Sequence, residues 1–427
     1  MRRFDASEAG FLQRFQAFLG ERQAAPEEAD AAAAEIIDAV RREGLAAVLR
    51  YSAKFDRGAV DAASLRVSAE EIEAGAAECP APVTEALTFA ARRIAAYHAR
   101  QRPDDQRFTD EAGVELGWRW TALDSVGVYV PGGRAAYPSS LLMNAVPAKV
   151  AGVGRIAMVT PPGRLEPAVL SAAKVAGVTE IWRVGGAQAV AALAYGAGPI
   201  APVDKIVGPG NAFVTAAKRR VYGVVGIDAL AGPSEIVVVA DAQNDPDWIA
   251  ADLLSQAEHD PDAQSILIAE DAGFAEQVER AVERRLQSLA TSETAAASWR
   301  RHGAVVIAPL QQSPQLVDLI APEHVEFAVA DPDALADRVR HAGAIFLGRY
   351  TPEAVGDYVA GSNHVLPTSR AARFSSGLSI YDFLKRTSIV RCDEAAFRTL
   401  GPPTVILAEA EGLPAHAGSA AVRLGHG

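Results

Sequence analysis

Apolar residues recur at helical spacing through the first 120 residues of the chain. In the run 31–42, Ile36, Ile37 and Val40 fall in register, and Gly44 stands where a helix commonly ends. Ser68-Ala69-Glu70-Glu71 has the spacing of a capping box. A longer helix is predicted from about Ala81 to Arg100, with His98 on a partly exposed face. From Trp118 the texture changes, and short β-branched runs alternate with Ala-rich helical runs. Strands are predicted at 126–130, 155–159, 179–184, 204–207 and 235–240, and helices at 140–151, 166–176, 187–195 and 211–221. A second alternating block follows, with strands near 264–269, 303–307, 324–328 and 343–347. This order predicts an α/β fold of mostly parallel sheets covered on both faces. Its expected parts are a mainly helical N-terminal region (1–120), a Rossmann-like domain (121–234), a second Rossmann-like domain (235–374) and a C-terminal tail (375–427). A cleft between the two halves would suit a small molecule, and the tail would dock on a partner chain.

A length of 427 residues supports two or three domains with a sizeable core. Net charge −12 and a pI near 5.3 argue against nucleic acid and anionic membrane as partners. They leave room for an anionic cofactor, which needs only a local field. Cys79 and Cys392 are the only cysteines, which fits a reducing compartment better than a disulfide framework. Neither a secretory leader nor an 18-residue apolar run is legible, so the expected location is cytoplasmic, with no membrane contact.

The candidate chemistry gathers on a few polar residues set in apolar surroundings. A helix beginning at Asp245-Pro246-Asp247 carries Trp248, Ile249, Leu253 and Leu254 on one face. Gln256 and His259 leave the same side of its last turn. A carboxamide oxygen and an imidazole there can share a metal ion, although such a pair is also common in a capped surface turn. Glu323-His324 stands at a strand start, where a carboxylate can activate water and an imidazole can move protons. Both act only if the pair sits at a strand end, because neighbours within a strand face opposite ways. Asp357 and His364 belong to a polar, glycine-rich stretch, and Glu411 and His416 add further polar groups near the end. This mixed nitrogen and oxygen set suits Zn²⁺ or Mn²⁺, and the lack of thiolate argues against a structural zinc. His302, His341 and His426 read as surface or terminal residues.

Glycine clusters occur at Pro131-Gly132-Gly133, Val184-Gly185-Gly186-Ala187-Gln188 and Val207-Gly208-Pro209-Gly210-Asn211. Each is predicted at a strand-to-helix junction, where backbone N–H groups can meet phosphate. Each also reads as a tight turn, and none is the full dinucleotide fingerprint. Gly232-Pro233-Ser234 is a fourth turn, between the two blocks.

Taken together, these segments resemble the histidinol dehydrogenase family. The resemblance is carried by Gly127-Val128-Tyr129-Val130-Pro131-Gly132-Gly133, Gly185 to Gln188, Val207 to Asn211, Gly232 to Glu235, Leu253 to His259, Ala321-Pro322-Glu323-His324, Gly356-Asp357-Tyr358, Asn363 to Pro367 and Ala415-His416. The motifs run in family order from 127 to 416, and the first 120 residues match only in general character. The resemblance implies oxidation of L-histidinol through L-histidinal to L-histidine with two NAD⁺, the last step of histidine biosynthesis. It implies Zn²⁺, one per subunit, held by Gln256, His259, Asp357 and His416. It implies catalysis by Glu323, which activates water, and His324, the acid/base. Ser234, His364 and Glu411 would contact substrate together with His324 and the metal ligands, and Tyr129, Gln188 and Asn211 would contact NAD⁺. A homodimer is implied, whose C-terminal segment reaches the partner's site. Competing readings are a cysteine thiohemiacetal mechanism through Cys392 or Cys79, a paralogue acting on another alcohol, and a non-enzymatic metal-buffering or nucleotide-sensing protein.

Overall fold

The structure is a computed structural model that describes residues 1–21, 27–56, 58, 60–131, 137–163 and 165–425. Gly132, Gly133 and His426, singled out above, lie outside the described residues. The chain forms two compact units, one of Met1–Arg100 and Asp124–Phe383, the other of Gln101–Leu123 and Leu384–Gly427.

The larger unit holds two parallel sheets. The first has strand order Glu180–Arg183, Arg155–Thr160, Ser125–Tyr129, Lys205–Val207, Gly226–Ile227. The second has order Arg2–Asp5, Ala304–Ile307, Gln264–Ala269, Glu235–Ala240, His324–Ala328, Ala344–Leu347. Ile236 to Val239 and Ile266 to Ile268 are buried without alternation, as expected for strands covered on both faces. The expected α/β class therefore holds, and the alternating elements fall within a residue or two of their predicted bounds.

The helices are set by local signals. Ser68 and Glu71 close the predicted capping box. Asp245 caps Pro246–Ala257 by accepting the Asp247 N–H, with Pro246 in the first turn. That helix buries Ile249, Leu253 and Leu254 against the second sheet. Trp248, assigned to the same face, is instead exposed and lies against Tyr350.

Residues 1–120 do not form one helical region. Arg2–Asp5 is a strand that pairs with Ala304–Ile307, and Phe4, Phe11, Phe15 and Phe18 pack into the core of the second sheet. Residues of Glu27–Glu43 and Leu45–Phe55 pack instead into the core of the first sheet. His98 is fully buried rather than partly exposed, with Asn363 Nδ2 3.5 Å from its Nε2.

The smaller unit is an antiparallel sheet with helices. Glu115–Ala122 pairs with Gln106–Thr109 on one side and Leu384–Arg391 on the other. Helices Glu394–Ala410 and Pro414–Ala421 follow and pack together. The tail is thus a strand and two helices, joined by 101–123.

Candidate active site

In the second sheet, chemistry concentrates at the amino ends of two neighbouring inner strands. Glu235 opens one and His324 opens its neighbour, with His324 in register with Ile236. Glu323 immediately precedes its strand, so the pair sits at a strand end, the condition required for both to act on one side. Glu323 Oε2 accepts the Glu235 N–H at 3.0 Å and lies 3.7 Å from His324 Nδ1. His324 Nδ1 faces the Glu235 carbonyl at 3.0 Å. A carbonyl only accepts, so Nδ1 carries the proton and Nε2 keeps the lone pair. Nε2 is buried without a hydrogen-bond partner and lies 3.7 Å from Asp357 Oδ1.

Two helices close over this edge. Pro246–Ala257 ends there, bringing Gln256 and, just past it, His259, whose Nδ1 is 3.0 Å from Gln256 Nε2. Gln256 is buried, and its Oε1 has no hydrogen-bond partner. Helix Glu353–Tyr358 packs against it and brings Glu353 and Asp357. Gly356 lets the helix lie close to strand Ala344–Leu347: a Cβ there would lie 2.3 Å from the Phe346 ring. His364 lies beyond that helix, with its Nδ1 2.9 Å from the Asp357 carbonyl. Ser234 precedes the Glu235 strand and is half-buried.

Burial dominates the electrostatics. It pushes the His324 imidazole down to about 3, with His364 and His259 adding smaller effects in the same direction. It lowers His364 to about 4, and it also lowers His259. It raises Asp357 to about 7 and Asp252 to about 6, the latter opposed by Arg285. Glu326 and Glu353 are raised well above the usual carboxylate range by burial first and by neighbouring acids second. Uncompensated buried carboxylates are costly, and a bound cation removes that cost. The donor set fits one. Among the expected ligands, Gln256 Oε1 lacks a hydrogen-bond partner and the Asp357 carboxyl is raised by burial; His324 Nε2 and both Glu353 oxygens, outside the expected ligand set, also lack partners. Ligand atoms of His324, Glu353 and Asp357 all lie within 4.8 Å of one another.

Glu353, Glu326 and Asp252 were not singled out from sequence. Glu326 accepts the Glu353 N–H, and Glu353 Oε1 is 3.1 Å from His324 Nδ1. A signal was present: His324 and Glu326 alternate with Val325 and Phe327, so one face of a buried strand is polar. Glu353 and Asp357 stand four apart on one helix face.

The first sheet carries the proposed cofactor residues at its carboxyl edge. Tyr129 ends a strand, and its hydroxyl accepts the Gly186 N–H at 3.0 Å. Burial pushes that phenol up to about 12. Gln188 is buried in the first turn of Gly186–Tyr195, with Nε2 3.3 Å from Asp56 Oδ2. Asp56 also accepts the Gly185 N–H at 3.3 Å. Asn211 caps Ala212–Val221 by accepting from Phe213 and Val214. The Gly208 N–H goes to Asp228 at 2.8 Å. These amides, expected to be free for phosphate, are thus already used within the chain. Glu411 and His416 are exposed residues of the smaller unit, Glu411 just after Glu394–Ala410 and His416 within Pro414–Ala421.

A family model described as histidinol dehydrogenase matches residues 20–424. The chain is 74% identical over 427 residues to a protein of Caulobacter vibrioides named histidinol dehydrogenase, covering 100% of both. It is 60% identical to one of the same name from Rhodospirillum rubrum, covering 100% of this chain and 99% of that protein. The crystal structure of histidinol dehydrogenase from Elizabethkingia anophelis superposes with a TM-score of 0.94 at 33% identity, covering 99% of this chain and 98% of that one.

Proposed function

The chain belongs to the histidinol dehydrogenase family of oxidoreductases, and on that premise we propose that it converts L-histidinol through L-histidinal to L-histidine with two NAD⁺ and one Zn²⁺ per subunit. The observation that carries this reading is His324. Its imidazole is neutral at neutral pH, its tautomer is fixed by the Glu235 carbonyl, and its Nε2 is left without a partner. In the first oxidation Nε2 takes the alcohol proton as hydride leaves the carbon for NAD⁺. In the second, Glu323 takes a proton from water as the water adds to the aldehyde carbon, and the protonated His324 returns its proton to the aldehyde oxygen, which restores its Nε2 lone pair. The hydrate then gives up hydride to a second NAD⁺, and His324 again takes the hydroxyl proton. Glu323 is held for this work by the Glu235 amide.

Zinc would be held by Gln256, His259, Asp357 and His416, where it would supply a fixed charge that orients the imidazole and amine of the substrate. Ser234, His364 and Glu411 would complete the substrate contacts. Tyr129, Gln188 and Asn211 would orient NAD⁺, whose nicotinamide carries the hydride chemistry. A homodimer is supported by large apolar residues exposed on the smaller unit: Val390 at 66%, Ile406 at 65%, Leu407 at 64% and Val422 at 60%. A cytoplasmic setting is supported by two unpaired cysteines, Cys79 and Cys392. Among the described residues no helix is long and apolar enough to cross a membrane.

The test is NADH absorbance with histidinol, with histidinal, and with each after chelation. Turnover of both substrates, lost on chelation, is expected; no NADH from histidinol with the metal present would refute the reading. The shared site is tested by refolding His259→Ala and His416→Ala chains together. Random pairing makes half the dimers mixed, each with one intact site, so about a quarter of native activity should return. No recovery would mean that His416 serves its own chain.

A further inference from the structure

Among the described ion pairs of lysine or arginine, Lys218–Asp228 is the most deeply buried, with side chains 4% and 5% exposed. It has no place in the chemistry above. Three elements build it. Gly208 follows strand Lys205–Val207, and Asp228 follows the edge strand Gly226–Ile227, paired in register with it. Helix Ala212–Val221 brings Lys218 back over both. Asp228 Oδ2 accepts the Gly208 N–H at 2.8 Å, while Lys218 Nζ donates to the Gly208 carbonyl at 3.0 Å and to Asp228 Oδ1. One ion pair therefore holds both polar groups of the Gly208 backbone. Gly208 has φ 111°, and a Cβ there would lie 2.3 Å from the Tyr129 carbonyl oxygen, so the loop also abuts the end of the neighbouring strand.

A buried ion pair is seldom more stabilising than an apolar pair of the same volume, so stability alone does not explain this one. Its position does. Gly208 lies between Tyr129 and Asn211, at the point where the strand order of the first sheet reverses. We propose that Lys218 and Asp228 are positioning residues for the cofactor. They fix the Gly208–Asn211 loop against Tyr129, so that both side chains meet NAD⁺ already oriented. This rests on the assignment of Tyr129, Gln188 and Asn211 to NAD⁺.

The test uses the full-length, zinc-loaded enzyme with both charges removed together (Lys218→Met with Asp228→Leu), which strands neither. Expected is a rise of about 10–100-fold in KM for NAD⁺, the scale of a misplaced binding group, matched by weaker NAD⁺ binding in a direct titration. KM for histidinol and zinc content should stay within about twofold of native. Gln188→Ala is the control for the underlying assignment. If it raises KM for NAD⁺ and the double variant does not, the positioning role is overturned and the cofactor reading stands. If neither does, both fall. A lower melting temperature and less active protein with unchanged KM for NAD⁺ would mark the pair as merely structural and overturn the proposal. Should the double variant not fold, Gly208→Ala displaces the loop from the Tyr129 side with the pair intact. It should show the same selective rise in KM, and an unchanged KM for NAD⁺ would overturn the proposal.

Discussion

The two parallel sheets share a strand order yet present chemistry at opposite edges. Apart from the edge strand Arg2–Asp5, which only the second sheet has, the chain in each starts a strand inside the sheet, builds outward on one side, then returns and builds the other side. The first sheet gathers Tyr129, Gln188 and Asn211 at its carboxyl edge, the usual place for ligands in such folds. The second closes that edge. Asp241 accepts from Arg349 Nη2 at 2.7 and 2.6 Å and from the Ala330 N–H at 2.9 Å, while Asn244 Nδ2 donates to the Ala328 carbonyl at 2.6 Å. Its candidate chemistry lies at the amino edge instead, on Glu235, Glu323 and His324.

The difference has an electrostatic logic. Helices that follow parallel strands begin near the carboxyl edge and end near the amino edge. Helix N-termini carry partial positive charge and suit phosphates; C-termini carry partial negative charge and suit cations. Gln256 and His259 are delivered by the end of Pro246–Ala257. The proposed placement, an anionic cofactor at the first sheet and a metal ion at the second, would match the helix ends that each edge collects.

Substitutions can break this contrast. The largest expected effect is His324→Asn, which should lower kcat by roughly 10²–10⁴-fold for both oxidations with KM for NAD⁺ unchanged; a variant impaired only in NAD⁺ binding would contradict the split. Glu323→Gln should slow histidinal oxidation far more than histidinol oxidation, since only the aldehyde needs water. Equal loss in single-turnover assays of the two steps would remove Glu323 from its role. Arg349→Met breaks the closed edge of the second sheet. It should cost about 1–3 kcal/mol of stability in denaturant titration, as for lost bonds to a charged group, and leave both KM values unchanged. A kinetic effect there would mean that the carboxyl edge is not merely closed.

A further effect concerns pH. Folded His324 and His364 titrate near 3 and 4, against 6.5 when unfolded. As pH falls below 6.5 the unfolded chain gains protons that the folded chain refuses, so stability drops by up to about 1.4 kcal/mol per pH unit for each histidine. Above 6.5 neither contributes. Asp357, raised to about 7 by burial, acts in the opposite sense, losing stability as pH rises from 3.8 to 7. In chelated protein, His364→Asn should flatten the fall in melting temperature between pH 6.5 and 4; an unchanged slope would refute the assignment.

The alternating regions were legible because their signal is local: 264–269 and 324–328 appear at their predicted bounds. Arg2–Asp5 and Leu384–Arg391 were not, because their pairing partners are far away in the chain. The Glu323-His324 pair was readable as a motif, and its placement at a strand end agrees with what that motif requires. Glu353 was not, because its importance comes from burial against His324 rather than from its neighbours in sequence. The occupied amides of Gly185, Gly186 and Gly208 were equally invisible, since Asp56, Tyr129 and Asp228 reach them only through the fold.

The most direct test of a cation at the amino edge of the second sheet is to withdraw zinc stepwise with a chelator. Bound metal and the initial rate of NADH formation from histidinol are then measured on the same samples. The rate should fall in proportion to zinc and return at about one equivalent per chain. A full rate in samples shown by elemental analysis to be free of metal would contradict the central claim.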